Sequence, residues 1–207
     1  MAAPTPPPVI PADSPLHTIA GNDSGVMVVS GPTAVGKGTV VSRLREQHPE
    51  VFVSVSATTR AARPGEIDGV HYLFLDDDAF DRLVEEDGLL EWAVVHGTHR
   101  YGTPRQPVVE AVAAHRPVIL EIDLQGARQV RSTYPDALQV FLAPPSWDEL
   151  VRRLVGRGTE TQEQQERRLA TAVDELASAE EFDCVVVNGE IDETVARLVE
   201  LLSLTSQ

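Results

Sequence analysis

The chain has 207 residues, of which 42% are hydrophobic and 24% charged, and both fractions are ordinary for one compact globular domain. Its 17 basic and 32 acidic side chains give a formal net charge of −15, which argues against a surface that binds nucleic acid or an anionic membrane. One cysteine excludes an intrachain disulfide, and with no recognisable signal peptide we expect a cytoplasmic protein.

Proline distinguishes the first part of the chain. Residues 1–24 hold six of the 15 prolines and show no apolar periodicity, which predicts a disordered, proline-rich tail. A proline-rich segment that binds a protein partner is the alternative. Order is predicted to begin with a buried strand at 26–30, followed by a glycine-containing loop and a helix at 39–46.

The next segment has the spacing of short strands and hairpins. Strands are predicted at 52–56 and 72–75, with a loop rich in Arg, Pro and Gly at 60–69 between them. A helix at 76–86 and a hairpin at 90–101 that turns near Gly97 complete the segment. Together these elements predict a small subdomain inserted into a larger fold.

Apolar strands and helices alternate in the rest of the chain. The predicted strands lie at 117–122, 138–143 and 183–188, and the predicted helices at 106–114, 126–132, 146–155, 163–179 and 191–202. Ser146 with Glu149 three residues later has the pattern of a capping box. The alternation predicts an α/β fold with a parallel sheet that is covered by helices on both faces.

The loop after the first strand carries the strongest motif. Gly31 and Gly36 are five positions apart and Lys37 follows, which is the pattern of a phosphate-binding P-loop. Glycines let successive N–H groups point at phosphate oxygens, and the lysine would bridge the β- and γ-phosphates. The position that usually carries a hydroxyl is Gly38, so Thr39 would contact phosphate, with Mg²⁺ held through waters. An accidental glycine-rich turn is the alternative.

Two arginines in the loop at 60–69 form a second candidate site. Arg60 and Arg63 are three residues apart, so both guanidinium groups could bind one phosphate. A solvated surface loop is the alternative.

From this loop onward the sequence resembles the guanylate kinases. The matching residues of the first segment are Ser56, Thr58, Thr59, Arg60, Arg63, Gly65, Glu66 and Tyr72. Further similar segments lie at 90–93, 101–103, 120–126, 156–161 and 187–188, so that the resemblance covers about 25–203. Several independent motifs in the family's order make the resemblance specific.

The resemblance implies a P-loop NTPase fold, with a three-layer αβα core, an inserted GMP-binding subdomain and a helical lid. The implied domain spans 25–205, with a core at 25–55, 105–146 and 171–205, a GMP-binding arm at 56–104 and a lid at 147–170. It also implies phosphoryl transfer from ATP to GMP with Mg²⁺, and no nucleic-acid or membrane partner. The oligomeric state stays open.

The resemblance implies roles for individual residues. ATP binding is implied for Gly31, Pro32, Thr33, Ala34, Val35, Gly36, Lys37, Gly38, Thr39 and Asn188, the last as an adenine contact. GMP binding is implied for Ser56, Arg60, Arg63, Tyr72, Glu91, Tyr101, Thr103, Glu121 and Asp123. Catalysis is implied for Lys37, Asp123 and the lid arginines Arg153, Arg157 and Arg168, and Mg²⁺ ligation for Thr39 and Asp123.

Glu91 and Thr103 carry the expected choice of base. A carboxylate pairs with the N1–H and N2 amino donors of guanine, and a hydroxyl donates to O6, whereas adenine has an acceptor at N1. We identify no feature that senses the 2′-hydroxyl, so dGMP is expected as a second acceptor. The alternatives are a P-loop kinase with another acceptor, such as AMP or a phosphorylated sugar, and an inactive guanylate-kinase-like module that binds proteins.

Overall fold

The computed structural model describes residues 24–95, 98–155 and 162–204. The predicted proline-rich tail apart from Ser24, the predicted hairpin turn near Gly97, and Arg157 therefore lie outside the described residues. Within the described ranges, no helix combines the length and the apolar character that crossing a bilayer requires.

The strands and helices have the following bounds. The strands are β1 (Val26–Ser30), β2 (Phe52–Val53), β3 (Ala57–Thr58), β4 (Leu73–Phe74), β5 (Leu89–Val95), β6 (His99–Pro104), β7 (Val118–Glu121), β8 (Leu138–Ala143) and β9 (Cys184–Val187). The α-helices are α1 (Lys37–Gln47), α2 (Asp77–Glu85), α3 (Arg105–Ala113), α4 (Leu124–Thr133), α5 (Trp147–Val155), α6 (Gln162–Ala177) and α7 (Ile191–Leu204). A 3₁₀ turn at Ser178–Glu181 ends α6 earlier than the predicted 179.

A five-stranded parallel sheet forms the centre of the molecule, in the order β2-β7-β1-β8-β9. Strand β1 is buried throughout, and its side chains alternate between two cores. Met27 and Val29 pack with α1 and α7 on one face, whereas Val26 and Val28 pack with α3 and α4 on the other. This arrangement confirms the predicted α/β fold with helices on both faces of a parallel sheet.

A second sheet of four short strands, in the order β4-β3-β6-β5, corresponds to the predicted inserted subdomain. Helix α2 covers it through Phe80, which is fully buried between Ala57 and Leu89. The side chain of Asp76 caps α2 by accepting a hydrogen bond from the N–H of Ala79 at 2.7 Å. We call this unit the small sheet.

One strand prediction was wrong. The segment 52–56 does not form a single strand, because β2 ends at Val53 in the central sheet and β3 begins at Ala57 in the small sheet. Phe52 is paired with Val118, whereas Ala57 is paired with Gly102. Apolar alternation is the same in both sheets, so it could not show that the chain changes partners between them.

Helices α5 and α6 pack against each other beside the phosphate loop. Their shared cluster, the α5–α6 cluster, contains Leu150, Leu154 and Ala172, with Ala34, Trp147, Leu169 and Leu176 against it. Ser146 caps α5 as predicted, since its hydroxyl accepts from the N–H of Glu149 at 3.2 Å. The carboxylate of Glu149 pairs with Arg152 and Arg153. Ala34 belongs to the phosphate loop, so the cluster ties both helices to that loop.

Candidate active site

The phosphate loop connects β1 to α1 and needs glycine at two positions. A Cβ atom at Gly31 would lie 2.3 Å from the carbonyl oxygen of Leu142 on β8, and the φ angle of Gly31 is +147°. Gly36 has a φ angle of +101° and caps α1, and a Cβ atom there would lie 2.8 Å from Nδ2 of Asn188. A side chain at either position would displace the loop from the strands that position it.

Lys37 lies at the start of α1, and its side chain turns back over the loop. Its Nζ donates to the carbonyl oxygen of Gly31 at 2.6 Å and to that of Pro32 at 3.3 Å. Burial lowers the pKa of Lys37, and the nearby carboxylates of Glu121, Glu175 and Asp123 oppose that shift. The loop thus holds a partly desolvated ammonium group beside its N–H groups.

The carbonyl oxygen of Val35 is held by two side chains from distant parts of the chain. Nδ2 of Asn188 and Nη1 of Arg153 both donate to it at 2.8 Å. Asn188 is buried, and its Oδ1 accepts from the hydroxyl of Thr194 at 3.2 Å. Both residues border an open cleft together with Thr39. The predicted nucleotide contact Asn188 and the predicted lid residue Arg153 therefore meet at the phosphate loop.

A second cavity, of about 310 Å³, lies between the central sheet and the small sheet. Most of the residues predicted to bind GMP line it, namely Ser56, Arg60, Arg63, Tyr72, Glu91, Tyr101, Glu121 and Asp123. Lys37 lines the same cavity. One cavity therefore joins the predicted acceptor site to the phosphate loop.

Glu91 and Thr103 face each other across β5 and β6. The register shifts by one residue between Leu89 and Glu91, and such a bulge re-aims the side chains that follow it. The Thr103 hydroxyl donates to Oε1 of Glu91 at 2.7 Å, and Glu91 is only 6% exposed. Burial raises the pKa of Glu91 to about 7, against the opposing effect of the Thr103 hydrogen bond, while Asp123 adds to the rise. Glu91 thus lines the cavity, whereas Thr103, also predicted to bind GMP, is fully buried behind it and does not line the cavity.

Glu66, for which no role was predicted, holds Arg60. Glu66 accepts two hydrogen bonds from Arg60, from Nη1 at 2.8 Å and from Nη2 at 2.9 Å. The hydrogen bond from Arg60 and a second from the N–H of Arg63 lower the pKa of Glu66 to about 2. Arg60 also donates to the hydroxyl of Tyr101 at 3.1 Å and lies over the ring of Tyr72. The Gly65-Glu66 pair in the motif was the signal that could have identified Glu66.

Acidic and hydroxyl groups near the loop do not form a complete metal site. Asp123 caps α4 by accepting from the N–H of Gly126 at 2.8 Å, and it lines the cavity between the two sheets, whereas Thr39 borders the cleft at Asn188 and Arg153. A Cβ atom at Gly38 would lie 3.5 Å from Oε1 of Glu121. Within the described ranges no three or more His, Cys, Asp or Glu side chains are grouped to hold a metal ion. Any cation here would depend on phosphate oxygens and water for most of its ligands.

Helix α6 contributes two further side chains. Arg168, a predicted catalytic residue, is partly buried on this helix. Glu175 accepts a hydrogen bond at Oε2 from the N–H of Thr33 in the phosphate loop at 2.8 Å. Glu175 could not be predicted from the sequence, because the two residues are 142 positions apart and no local pattern marks the contact.

Comparison with known proteins identifies similar sequences over nearly the whole chain. Residues 24–205 match a family model described as guanylate kinase. A guanylate kinase of Cutibacterium acnes is 68% identical over 179 residues, which is 86% of this chain and 90% of that protein. A guanylate kinase of Thermobifida fusca is 58% identical over 194 residues, which is 93% of this chain and 98% of that protein.

A solved structure is similar to the fold as well. The crystal structure of guanylate kinase from Anaplasma phagocytophilum matches with a TM-score of 0.73 at 33% sequence identity. The match covers 89% of this chain and 88% of that one.

Proposed function

The chain belongs to the guanylate kinase family, and from that premise we propose that it transfers the γ-phosphoryl group of ATP to GMP and gives ADP and GDP. The observation that carries the proposal is the buried Glu91, which lines one cavity with Lys37 of the phosphate loop and accepts a hydrogen bond from the fully buried Thr103. We also propose dGMP as an acceptor, since we identify no residue that would sense the 2′-hydroxyl.

Glu91 and Thr103 would select guanine. The Glu91 carboxylate would accept from N1–H and the N2 amino group, and the Thr103 hydroxyl would turn from Glu91 to donate to O6. Adenine would place its N1 acceptor against the carboxylate and leave buried polar groups without partners, which costs about 1–3 kcal/mol per group. The burial of Glu91 and Thr103 makes this discrimination effective, because little water can replace a lost partner.

The GMP phosphate would bind at the other end of the cavity, where Ser56, Arg60, Arg63, Tyr72 and Tyr101 provide donors. Glu66 now holds Arg60 through two charge-assisted hydrogen bonds, so the Arg60 fork is already fixed in one orientation before any ligand arrives. The incoming phosphate would share Arg60 with Glu66.

In the transfer step, an oxygen of the GMP phosphate would attack the γ-phosphorus of ATP while the bond to the β–γ bridging oxygen breaks. The attacking oxygen of the GMP phosphate is already ionised at neutral pH, so the step needs no general base. Lys37, Arg153, Arg157 and Arg168 would neutralise charge on the moving group, and Asp123 would help to orient the reactants. We propose that 147–170 acts as the lid and 56–104 as the GMP-binding arm.

Magnesium fits the oxygen donors beside the loop. Thr39, Glu121 and Asp123 supply hard oxygen atoms, which suit an ion that keeps several waters and binds mainly to phosphates. When bound, the ion would offset charge on the β- and γ-phosphates. Mg²⁺ would contact these side chains mainly through water molecules, because Gly38 offers no hydroxyl directly after Lys37.

A coupled assay of ADP release tests the proposal, with ATP and each of GMP, dGMP, AMP, CMP and UMP. We expect turnover with GMP and dGMP and little with the others. Lys37→Met should abolish turnover with every acceptor, and Glu91→Gln should lower kcat/KM for GMP by about 10- to 100-fold with no change in the KM for ATP. A rate with GMP at background would refute the proposal and would favour the protein-binding module.

A further inference from the structure

The phosphate loop already holds a carboxylate of the protein itself. Oε2 of Glu175 lies 2.8 Å from the backbone N of Thr33 and accepts its hydrogen bond. The loop has the motif of a polyphosphate-binding loop, so a negative charge fixed beside it would repel the ligand. This cost suggests that the Glu175 carboxylate has a structural role. The geometry of the turn shows what that role is.

Thr33 and Ala34 are the two central residues of a tight turn. The N–H of Val35 donates to the carbonyl oxygen of Pro32 at 3.2 Å, and Ala34 has a φ angle of +65°. Positive φ at the second central residue alone is the signature of a type II turn. The turn's own hydrogen bond leaves the N–H of Thr33 unused, and Glu175 takes it.

The same turn also contacts helix α6 through an apolar side chain. The methyl group of Ala34 packs against the α5–α6 cluster, which includes Leu169, Ala172 and Leu176 of α6. Helix α6 is therefore held at the tip of the phosphate loop by one polar and one apolar contact. Both contacts join segments far apart in sequence, so they fix the helix relative to the loop.

Arg168 lies seven residues before Glu175 on α6, which is two helical turns. Residues at this spacing lie on the same face of a helix, so an anchor at Glu175 also sets the position of Arg168. An arginine that stabilises a moving phosphoryl group must be positioned closely, because a displacement of about 1 Å can cost about 100-fold in rate.

We propose that Glu175 is a positioning residue that anchors α6 to the phosphate loop through the amide of Thr33 and so holds Arg168 over the phosphates. This inference rests on the proposed function, because it assigns Arg168 to the phosphoryl group of that reaction. The anchor persists while nucleotide is bound, since its donor is a turn amide that the bend itself leaves free. Its action depends on the acceptor oxygen of residue 175 and not on the negative charge.

Three substitutions separate the anchor from the charge. Glu175→Ala removes both, whereas Glu175→Gln keeps an acceptor oxygen and removes the charge. Thr33→Pro removes the amide donor together with the threonine side chain and leaves the charge of Glu175 in place, and a type II turn favours proline at that position. Asp174→Asn is the control, because it removes a charge from an exposed neighbour on the same helix.

We expect Glu175→Ala and Thr33→Pro each to lower kcat by about 10- to 100-fold with the KM for GMP unchanged. Glu175→Gln and Asp174→Asn should stay within about threefold of the unsubstituted chain. The double variant Glu175→Ala/Thr33→Pro should be no slower than either single variant, because both changes break the same contact. The inference would be overturned if the losses in kcat multiplied in the double variant, or if Glu175→Gln lowered kcat as much as Glu175→Ala.

Amide hydrogen exchange of Thr33, followed by NMR, tests the anchor without any acceptor. We expect protection in the unsubstituted chain and in Glu175→Gln, loss of protection in Glu175→Ala, and no change in the unsubstituted chain when a non-hydrolysable ATP analogue binds with Mg²⁺. Equal exchange in the unsubstituted chain and Glu175→Ala would refute the anchor. Absent GMP phosphorylation with a protected Thr33 amide would refute the proposed reaction and leave the anchor intact.

Discussion

At the scale of single residues, Glu91 is a buried titratable group that is proposed to bind guanine, and its burial also makes the stability of the fold depend on pH. Its folded-state pKa of about 7 lies above the ordinary value of 4.5, so the folded chain holds this proton more tightly than the unfolded chain does. The stability that comes from holding the Glu91 proton is full at low pH and is lost as the pH rises from about 4.5 to about 7. At pH 8 the ionised Glu91 carboxylate lowers the free energy of unfolding by on the order of 3 kcal/mol, because one pKa unit corresponds to about 1.4 kcal/mol.

Glu91→Gln should therefore stabilise the chain at pH 8 by about 1–3 kcal/mol, since a neutral amide avoids the buried charge. The gain should fall below about 1 kcal/mol at pH 5, where Glu91 is itself protonated. Urea unfolding at both pH values measures the difference. The exposed Glu85→Gln on α2 is the matched control and should show no such dependence on pH. An equal effect of Glu91→Gln at pH 5 and pH 8 would contradict the raised pKa.

At the scale of elements, helix α4 supports strand β5 from the side. The Gln129 side chain accepts from the N–H of Trp92 at 3.2 Å and donates to its carbonyl oxygen at 2.7 Å, as a neighbouring strand would. Gly126, in the first turn of α4, lies against the carboxyl of Glu91, so that a Cβ atom there would be 2.5 Å from Oε2. The helix thereby fixes where the proposed guanine-binding carboxyl lies.

Gly126→Ala tests this support. Alanine usually stabilises a helix by about 1 kcal/mol relative to glycine, but here the methyl group would displace the Glu91 carboxyl. We expect the KM for GMP to rise by about tenfold or more while the KM for ATP stays unchanged. Steady-state kinetics with each substrate varied in turn distinguishes the two constants. An unchanged KM for GMP would show that Glu91 tolerates the added methyl group.

The elements show which parts of the fold could be predicted from sequence. The predicted strands at 26–30 and 138–143 were confirmed, because a short buried run in an α/β protein carries its own signal. The division of 52–56 between two sheets could not be predicted, since the partners Val118 and Gly102 lie far along the chain. The role of Glu175 could not be predicted for the same reason, since its partner Thr33 lies 142 positions earlier in the chain. Most predicted GMP-binding residues do line one cavity, because the family motif records side chains that converge from several elements.

At the scale of the whole molecule, negative charge is in excess both overall and around the two cavities. The chain carries a formal net charge of −15, and the linings of the two cavities contain more carboxylates than basic side chains, the latter being Lys37, Arg43, Arg60, Arg63 and Arg153. Several other arginines are exposed in pairs with carboxylates, such as Arg128 with Glu181 and Arg197 with Glu200. Exposed pairs of this kind contribute about 0–1 kcal/mol each, so the excess of negative charge should dominate the electrostatic response of the fold.

Added salt should therefore stabilise the ligand-free chain. Screening weakens both the surface pairs and the repulsion among unpaired carboxylates, and the repulsion is the larger contribution at this net charge. We expect the urea midpoint at pH 7.5 to rise between about 0.02 and 0.3 M NaCl, over which range the Debye length shortens severalfold. A fall in the midpoint would show that the ion pairs outweigh the net charge.

Lys37 is the only lysine in the sequence, and all 16 other basic side chains counted above are arginines. An acylating reagent that attacks neutral side-chain amines therefore has a single target, and the lowered pKa of Lys37 increases the fraction of that amine in reactive form. The chain thus has a built-in covalent reporter for its phosphate loop. A mass increment on the proteolytic fragment that contains Lys37 would report how accessible the loop is to the reagent, and a bound triphosphate would shield that amine.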